Sequence, residues 1–203
     1  MTNRLYRGDL PEGLDLGTAI AVDTEAMGLN PHRDRLCLVQ LSAGDGDAHL
    51  VQFAPGEYAA PRLRKLLADP GVTKVFHFAR FDLAMICHYI GVMALPVYCT
   101  KIASRLARTF TDRHGLRDLC KDLLNTELSK QQQSSDWGAE TLTEEQLRYA
   151  ASDVLHLHAL RDRLDVMLAR EGRERLARAC FEFLPHRVML DLEGWAEQDI
   201  FAH

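Results

Sequence analysis

The sequence predicts an α/β protein in which a mixed sheet is flanked by helices and the carboxyl-terminal half is mostly helical. Two observations support this: the first third of the chain holds short apolar runs typical of strands, and later apolar residues recur at helical spacing. The chain has 203 residues, 47% hydrophobic and 26% charged, an ordinary composition for a globular protein. We therefore expect a single domain over residues 1–203.

Three apolar runs near the start of the chain predict β-strands. Residues 19–22 form a short run that ends at Asp23, as expected for a strand buried on both faces. Residues 36–41 and 48–53 are further candidates, and the Gly- and Asp-rich segment 43–47 between them is a strong turn signal. Short links between consecutive strands predict an antiparallel meander.

The hydrophobic period then changes. Residues 61–68 predict a helix, 72–78 a strand, and 81–90 a second helix that ends at Gly91. A crossover helix that leads into a parallel strand makes the sheet mixed. After Thr100 nearly every segment has a helical pattern. The helices predicted there cover about 101–110, 115–125, 143–171 and 173–183.

The helix from Thr143 has the clearest signals. Thr143 and Gln146 form a capping box, and apolar residues follow at three-to-four spacing. Gly172 lies where a C-terminal cap belongs. Tyr149 and Asp153 are one helical turn apart, so we expect them to share a face at the edge of the core.

Charge and cysteine content limit the class of protein. The five cysteines are scattered without a CxxC pair, which favours reduced thiols in a cytoplasmic protein over disulfides or a zinc site. We expect no membrane partner, because no apolar run approaches the ~20 residues that span a bilayer and no signal peptide is evident. A net charge of −5 gives no indication of binding to long duplex nucleic acid.

Acidic residues in three distant segments are the main functional signal. Asp23 and Glu25 end a buried strand and leave the same face, Asp82 begins a helix, and Asp153 lies beside Tyr149. Each has an ordinary alternative: a strand-end turn, a first-turn Asp favoured by the helix dipole, or a structural Tyr–Asp pair. Converging in one cleft, four carboxylates would repel one another unless hard divalent cations lay between them.

These fragments, D-x-E, F-D and Y-x-x-x-D, resemble the three exonuclease motifs of the DEDD family in its tyrosine-bearing branch, which includes ribonuclease D and polymerase proofreading domains. The resemblance covers about residues 18–170 and implies a ribonuclease H-like fold with a five-stranded mixed sheet. It implies two bound divalent metal ions, Mg²⁺ or Mn²⁺, a water oriented by Tyr149, and release of nucleoside 5′-monophosphates from a 3′-hydroxyl end. The metal ligands that it implies are Asp23, Glu25, Asp82 and Asp153.

The tail and the stretches RDRLCLVQLS and LSKQQQSSDW are similar to a compact group within the family, the nanoRNases of alphaproteobacteria. That similarity extends over essentially the whole chain. It implies very short RNA substrates, dinucleotides in particular, and a homo-oligomer of ring-like octameric form. The apolar residues of segment 181–201 show no clear helical period, and we expect this segment to form a subunit contact or to fold back over the core.

Substrate contacts are predicted around the acidic motifs. Met27-Gly28-Leu29 could place an apolar wedge against terminal bases, although an ordinary turn is equally compatible. Many relatives carry an Asn shortly before F-D, whereas this chain has His77 and Phe78 in that region, so the contact made by that Asn is expected to be absent or to be replaced by one of these two residues. Trp137 could stack on a base or merely pack. The residues predicted to contact substrate, including a cap for a 5′-phosphate at 130–135, are Thr24, Met27, Gly28, Leu29, His77, Phe78, Lys130, Gln133 and Ser135.

Other functions remain open at this point. The same chemistry could act on another polymer, as in a DNA exonuclease or a tRNA-trimming enzyme of ribonuclease D type. A third hypothesis is an inactive ribonuclease H-like scaffold that only binds nucleic acid. The presence of all four acids and the tyrosine argues against this scaffold, since a binding domain has no need to hold repelling charges together.

Overall fold

A computed structural model describes residues 2–129, 131–132 and 134–202, and within them one mixed sheet forms the centre of the molecule. The spatial order of its strands is β1-β4-β3-β2-β5-β6. The strands are β1 (Asn3–Arg7), β2 (Ala19–Ala26), β3 (Leu36–Ser42), β4 (Ala48–Gln52), β5 (Thr73–Phe76) and β6 (Val97–Cys99).

The strand directions confirm the predicted meander and crossover. β2, β3 and β4 pair antiparallel, while β5 runs parallel to β2 and β6 parallel to β5. The sheet has six strands rather than the expected five. The polar sequence of β1, Asn-Arg-Leu-Tyr-Arg, carries no apolar run, yet it pairs parallel with β4 at the edge of the sheet. A half-exposed edge strand can be stabilised by backbone hydrogen bonds that leave little trace in the sequence.

Helices cover both faces of the sheet, and the capping signals are confirmed. Thr143 Oγ1 accepts a hydrogen bond from Gln146 N at 3.2 Å, and Gln146 Oε1 accepts one from Thr143 N at 2.8 Å. Gly172 has the left-handed conformation that a C-terminal cap requires. The helices are α1 (Pro61–Ala68), α2 (Ala79–Ile90), α3 (Thr100–Ala107), α4 (Leu116–Leu124), α5 (Glu144–Leu155), α6 (Leu157–Arg170) and α7 (Glu174–Leu190).

Two helix predictions were wrong in extent. The segment 143–171 is divided into two helices, α5 and α6, at His156. The apolar pattern continues across the division, since Val154 before it and Leu157 after it are both buried. Helix α7 continues beyond residue 183, through Pro185, to Leu190, and a π-helical turn (Asp191–Trp195) follows it. The tail therefore has more helix than its irregular apolar period indicates.

The core consists of two apolar clusters, one on each face of the sheet. Alternate residues of β2 take opposite sides: Ile20 and Val22 pack toward α1, α2 and α7, whereas Ala21 packs toward α3, α5 and α6. Continuing this alternation places Asp23 on the side of α5 and Thr24 on the side of α2. All five cysteines are free thiols. Among the described residues, no helix is both long and apolar enough to cross a membrane.

Candidate active site

The carboxyl end of β2 brings the predicted strand acids to helix α5. Asp23 and Glu25 are two residues apart in β2, opposite Gln40 and Leu38 of β3, so both point toward the α5 face. Carboxylate oxygens of Asp23, Glu25 and Asp153 lie within 4.8 Å of one another. Segments far apart in the sequence thus meet in one acidic cluster.

Asp82 lies outside this group of three but near it, on the α2 side of the sheet, because its charge acts on both Asp23 and Glu25. It is the fourth residue of α2, it is 2% exposed, and its Oδ1 accepts a 2.7 Å hydrogen bond from Thr24 Oγ1. Thr24 separates Asp23 from Glu25 and points toward α2, so a single hydroxyl joins the two acidic motifs. The side chain of Thr24 therefore positions a carboxylate, in addition to its predicted place among the substrate contacts.

Burial raises the pKa values of all four carboxyl groups, and repulsion by neighbouring acids adds to the rise for Asp23, Glu25 and Asp82. Burial and the neighbouring charges of Asp82, Asp153 and Glu25 raise the pKa of Asp23 well above its ordinary value. Burial and then the charges of Asp153 and Asp82 raise the pKa of Glu25 to about 9. Burial is also the main cause that raises the pKa of Asp82 and of Asp153 to about 7. Without cations, several of these groups would hold protons at neutral pH.

The donor set fits hard divalent cations. Four carboxylates that resist ionising together provide oxygen ligands of the type that Mg²⁺ and Mn²⁺ prefer. Gln40 contributes a further polar group, because its Nε2 donates to Asp23 Oδ2 at 3.3 Å while its buried Oε1 has no partner among the described residues. Gln40 was not predicted from the sequence. The available signal was a lone amide inside the apolar run of β3.

Tyr149 lies one turn before Asp153 on α5 and faces the same cluster. Burial and the charges of Asp153, Glu25 and Asp23 raise the pKa of the Tyr149 phenol, while its hydrogen bond to Asp153 lowers the pKa of that acid. The phenol is therefore protonated at neutral pH and acts as a hydrogen-bond donor. Its ring lies 6.0 Å from that of Trp137, which is 3% exposed and packs in the interior.

A cavity of about 400 Å³ opens beside Glu25. Leu29 is 83% exposed at its rim and Met27 is 52% exposed. At Gly28 a Cβ atom would lie 2.3 Å from Asp34 Oδ2, so any larger residue would displace the Asp34 carboxylate. The lining residues are Thr24, Glu25, Ala26, Met27, Gly28, Leu29, Phe81, Ser134, Ser135 and Trp137.

The remaining predicted substrate contacts do not all lie in this cavity. Ser135 lines the cavity, and its hydroxyl donates to Gln132 Oε1 at 2.7 Å. Lys130 and Gln133 lie outside the described residues. His77 is away from this cavity, and its Nδ1 lies 2.9 Å from Thr100 Oγ1. Burial and the charge of nearby Lys101 lower the pKa of His77 to about 3, so the ring is neutral.

Phe78 lies at the start of α2 with a positive φ of 69°, a conformation that is unusual outside glycine. Its ring is 46% exposed and has Lys101 Nζ 4.2 Å from the ring centroid. It lines a second cavity of about 680 Å³, which shares Leu29 and Phe81 with the first. One wall of this second cavity is formed by residues 191–194, 196 and 197 of the tail, a role that was not predicted from the sequence.

Comparison with known proteins identifies the family and several relatives of this chain. Residues 9–169 match the 3′-5′ exonuclease family. The structure of Brucella melitensis NrnC with bound Mg²⁺ is 57% identical and superposes with a TM-score of 0.96, covering 100% of both chains. The structure of Brucella melitensis NrnC bound to pGG is 58% identical with a TM-score of 0.97, covering 100% of this chain and 99% of that one.

A longer relative is also similar. Ribonuclease D of Gluconacetobacter diazotrophicus is 38% identical over 154 residues, which cover 76% of this chain. The same match spans only 39% of the length of that relative.

Proposed function

Because the chain belongs to the 3′-5′ exonuclease family, we propose that it is an exoribonuclease that hydrolyses very short RNAs, dinucleotides in particular, to nucleoside 5′-monophosphates. The observation that carries the proposal is the convergence of Asp23, Glu25 and Asp153 within 4.8 Å, with Asp82 hydrogen-bonded to Thr24 between the strand acids. Similarity to NrnC, whose structure bound to pGG covers 100% of this chain and 99% of that one, supports a short substrate.

The four carboxylates would hold two divalent cations, Mg²⁺ or Mn²⁺. Such a pair, when bound, activates a water and stabilises the leaving oxygen of a phosphodiester. The chain itself presents the carboxylates from fixed elements: β2 for Asp23 and Glu25, α5 for Asp153, and the first turn of α2 for Asp82. The acidic cluster supports this assignment, as does the Mg²⁺ in the structure of NrnC.

Tyr149 would orient the attacking water. Its raised pKa keeps the phenol protonated, so the group positions the nucleophile through a hydrogen bond and does not serve as the base. Asp153, one turn away, accepts from the same phenol and fixes its direction.

The cavity beside Glu25 would receive the end of the substrate. The exposed side chains of Met27 and Leu29 offer apolar contacts for bases, and Gly28 lets the backbone approach closely. Lys130, Gln133 and Ser135 would cap a 5′-phosphate, and Phe78, more than the distant His77, would bind the substrate in place of the Asn that many relatives carry. The pGG bound to NrnC supports the placement of a short substrate in this cavity.

A substrate-length series tests the proposed function. Purified protein with Mg²⁺ or Mn²⁺ is given end-labelled RNA and DNA of two, five and twenty residues. We expect the highest kcat/KM for the RNA dinucleotide, since a cavity of about 400 Å³ accommodates few nucleotides.

Each alternative predicts a different result of this series. Faster hydrolysis of the twenty-residue RNA would favour trimming of ribonuclease D type, and equal rates on DNA would remove the preference for RNA. Binding without hydrolysis of any substrate would indicate an inactive scaffold and would refute the proposal.

We also propose that the chain assembles into a homo-oligomer through its tail. Trp195, Ile200 and Phe201 are 40%, 47% and 68% exposed, an unusual concentration of large apolar side chains near one end of the chain. Light scattering at micromolar concentration should give a multiple of the 22.9 kDa chain mass, with eight chains if the octamer implied by the nanoRNase resemblance forms. A monomer at that concentration would contradict the proposal.

A further inference from the structure

An ion-pair cluster joins the tail to the first turn of α2. Asp191 binds Arg80 through two contacts, from Nε at 2.5 Å and from Nη2 at 2.7 Å. The same carboxylate accepts from Arg187 Nη2 at 2.7 Å. The Asp191 side chain is only 10% exposed, so two guanidinium groups share one buried carboxylate. We call Arg80, Arg187 and Asp191 the Asp191 cluster.

The same guanidinium groups hold the backbone that follows Asp191. Arg80 Nη2 donates to Ala196 O at 3.0 Å, and Arg187 Nη2 donates to Trp195 O at 2.9 Å and to Ala196 O at 3.1 Å. From the opposite side of the cavity, His32 Nε2 lies 2.9 Å from Leu192 O. Residues 191–196 are thus fixed at several points instead of extending freely from α7.

The Asp191 cluster lies next to the candidate active site. Arg80 is two residues after Phe78 and two residues before Asp82, on the first turn of α2. The cavity of about 680 Å³ that Arg80 and the tail line shares Leu29 and Phe81 with the cavity beside Glu25. A displacement of the tail or of Arg80 would therefore change the width of this larger cavity, a groove that adjoins the cavity beside Glu25.

We propose that Asp191 is a positioning residue that holds the substrate-facing wall of this groove. By neutralising Arg80 and Arg187 it fixes the tail against α2, and the groove then has the width that grips the nucleotide beyond the scissile bond. This inference rests on the proposed exonuclease function. Loss of the carboxylate would leave two neighbouring guanidinium groups uncompensated, an arrangement that partly buried charges tolerate poorly.

Kinetics of two variants test the positioning role. D191N removes the charge that joins both arginines, and R80K keeps a positive charge but loses the two-point geometry of the guanidinium. For a dinucleotide we expect KM to rise about tenfold in both variants, the effect of removing a charge-assisted hydrogen bond. We expect kcat to stay within about twofold of the wild-type value. Both variants keep the four carboxylates and Tyr149, and these groups act fully once the substrate is saturating.

A control and a second readout separate positioning from simple folding. D199N removes an acid in the same tail, whose carboxylate accepts only from Phe201 N among the described contacts, and its KM should be unchanged. D191E should recover part of the wild-type KM, because it restores the charge. Hydrogen exchange of amides 79–83 should accelerate in D191N and stay unchanged in D199N.

The outcomes are distinguishable. An unchanged KM in D191N, or a KM that rises in D191N but not in R80K, would overturn the proposed link to α2. If the wild-type chain hydrolyses no oligonucleotide, the proposed function fails. Faster exchange at 79–83 in D191N would then still support the positioning of α2 by Asp191, and unchanged exchange would overturn it.

Discussion

Replacing Asp153 by Asn should reduce kcat/KM by roughly a thousandfold, because several kcal/mol of charge stabilisation in the transition state depend on the complete carboxylate set. The substitution is nearly isosteric and removes one of three acids whose oxygens lie within 4.8 Å of one another. Initial rates on a dinucleotide at saturating Mg²⁺ measure the loss, and calorimetric titration should show weaker cation binding.

The matched control for Asp153 is D162N on the neighbouring helix. The side chain of Asp162 is 70% exposed and forms an ion pair with Arg161 at the surface. The activity of D162N should therefore equal that of the wild type. Wild-type turnover in D153N would show that the carboxylate cluster is not the active site.

The same variant changes how stability depends on pH. The pKa values of about 7 for Asp82 and Asp153 and about 9 for Glu25 exceed those of an unfolded chain, so the folded state binds more protons between about pH 4 and 9. Stability in the presence of a chelator should therefore fall as the pH rises through this interval. Urea unfolding at several pH values should give a shallower fall in D153N, and a steeper one would contradict this account.

Replacing Tyr149 by Phe should reduce kcat about a hundredfold while leaving cation binding nearly intact, because a small misplacement of a reacting group can cost about that much. The phenol carries a raised pKa and bonds to Asp153, so its loss removes a donor without removing a ligand. Single-turnover rates at saturating dinucleotide measure the step, and calorimetry measures cation affinity.

Y98F is the matched control for Tyr149. The Tyr98 hydroxyl donates to Asp165 at 2.8 Å, on the side of α6, and its pKa is likewise raised by burial and by that acid. Loss of this hydroxyl should change stability but not kcat. Equal kcat values for Y149F and the wild type would exclude the proposed role of Tyr149.

The elements that determine the fold could be predicted because each has a local cause. Apolar runs with Gly-Asp turns predict the meander, and the capping box at Thr143 begins α5 where expected. The division at His156 could not be predicted, since apolar residues remain in helical phase across it. The extent of α7 was missed because a proline such as Pro185 usually interrupts a helix. Here the helix continues past it, and Leu184 and Val188, one turn apart on either side of Pro185, are both buried.

The geometry of the candidate site could be predicted where the acidic residues lie within one strand or one helix. Strand alternation correctly places Asp23 and Glu25 on one face, and helical spacing places Tyr149 beside Asp153. Gln40 contacts Asp23 only through the pairing of β2 with β3, and the Asp191 cluster forms only when α7 packs on α2. Such contacts depend on register and packing, which no short motif encodes.

The close approach between Gly28 and Asp34 affects the conformation of the exposed segment Met27-Gly28-Leu29. Asp34 accepts from Asn30 N at 3.0 Å and from Arg33 Nε at 2.7 Å, and these bonds lower its pKa to about 2. The loop that carries Leu29 therefore packs against the Asp34 carboxylate, which is ionised at neutral pH and hydrogen-bonded to the loop backbone at Asn30. If the proposed function is correct, an incoming base would meet a pre-ordered edge, so little conformational entropy would be lost on contact, and fit would be decided by the shape of the ligand rather than by closure of the loop.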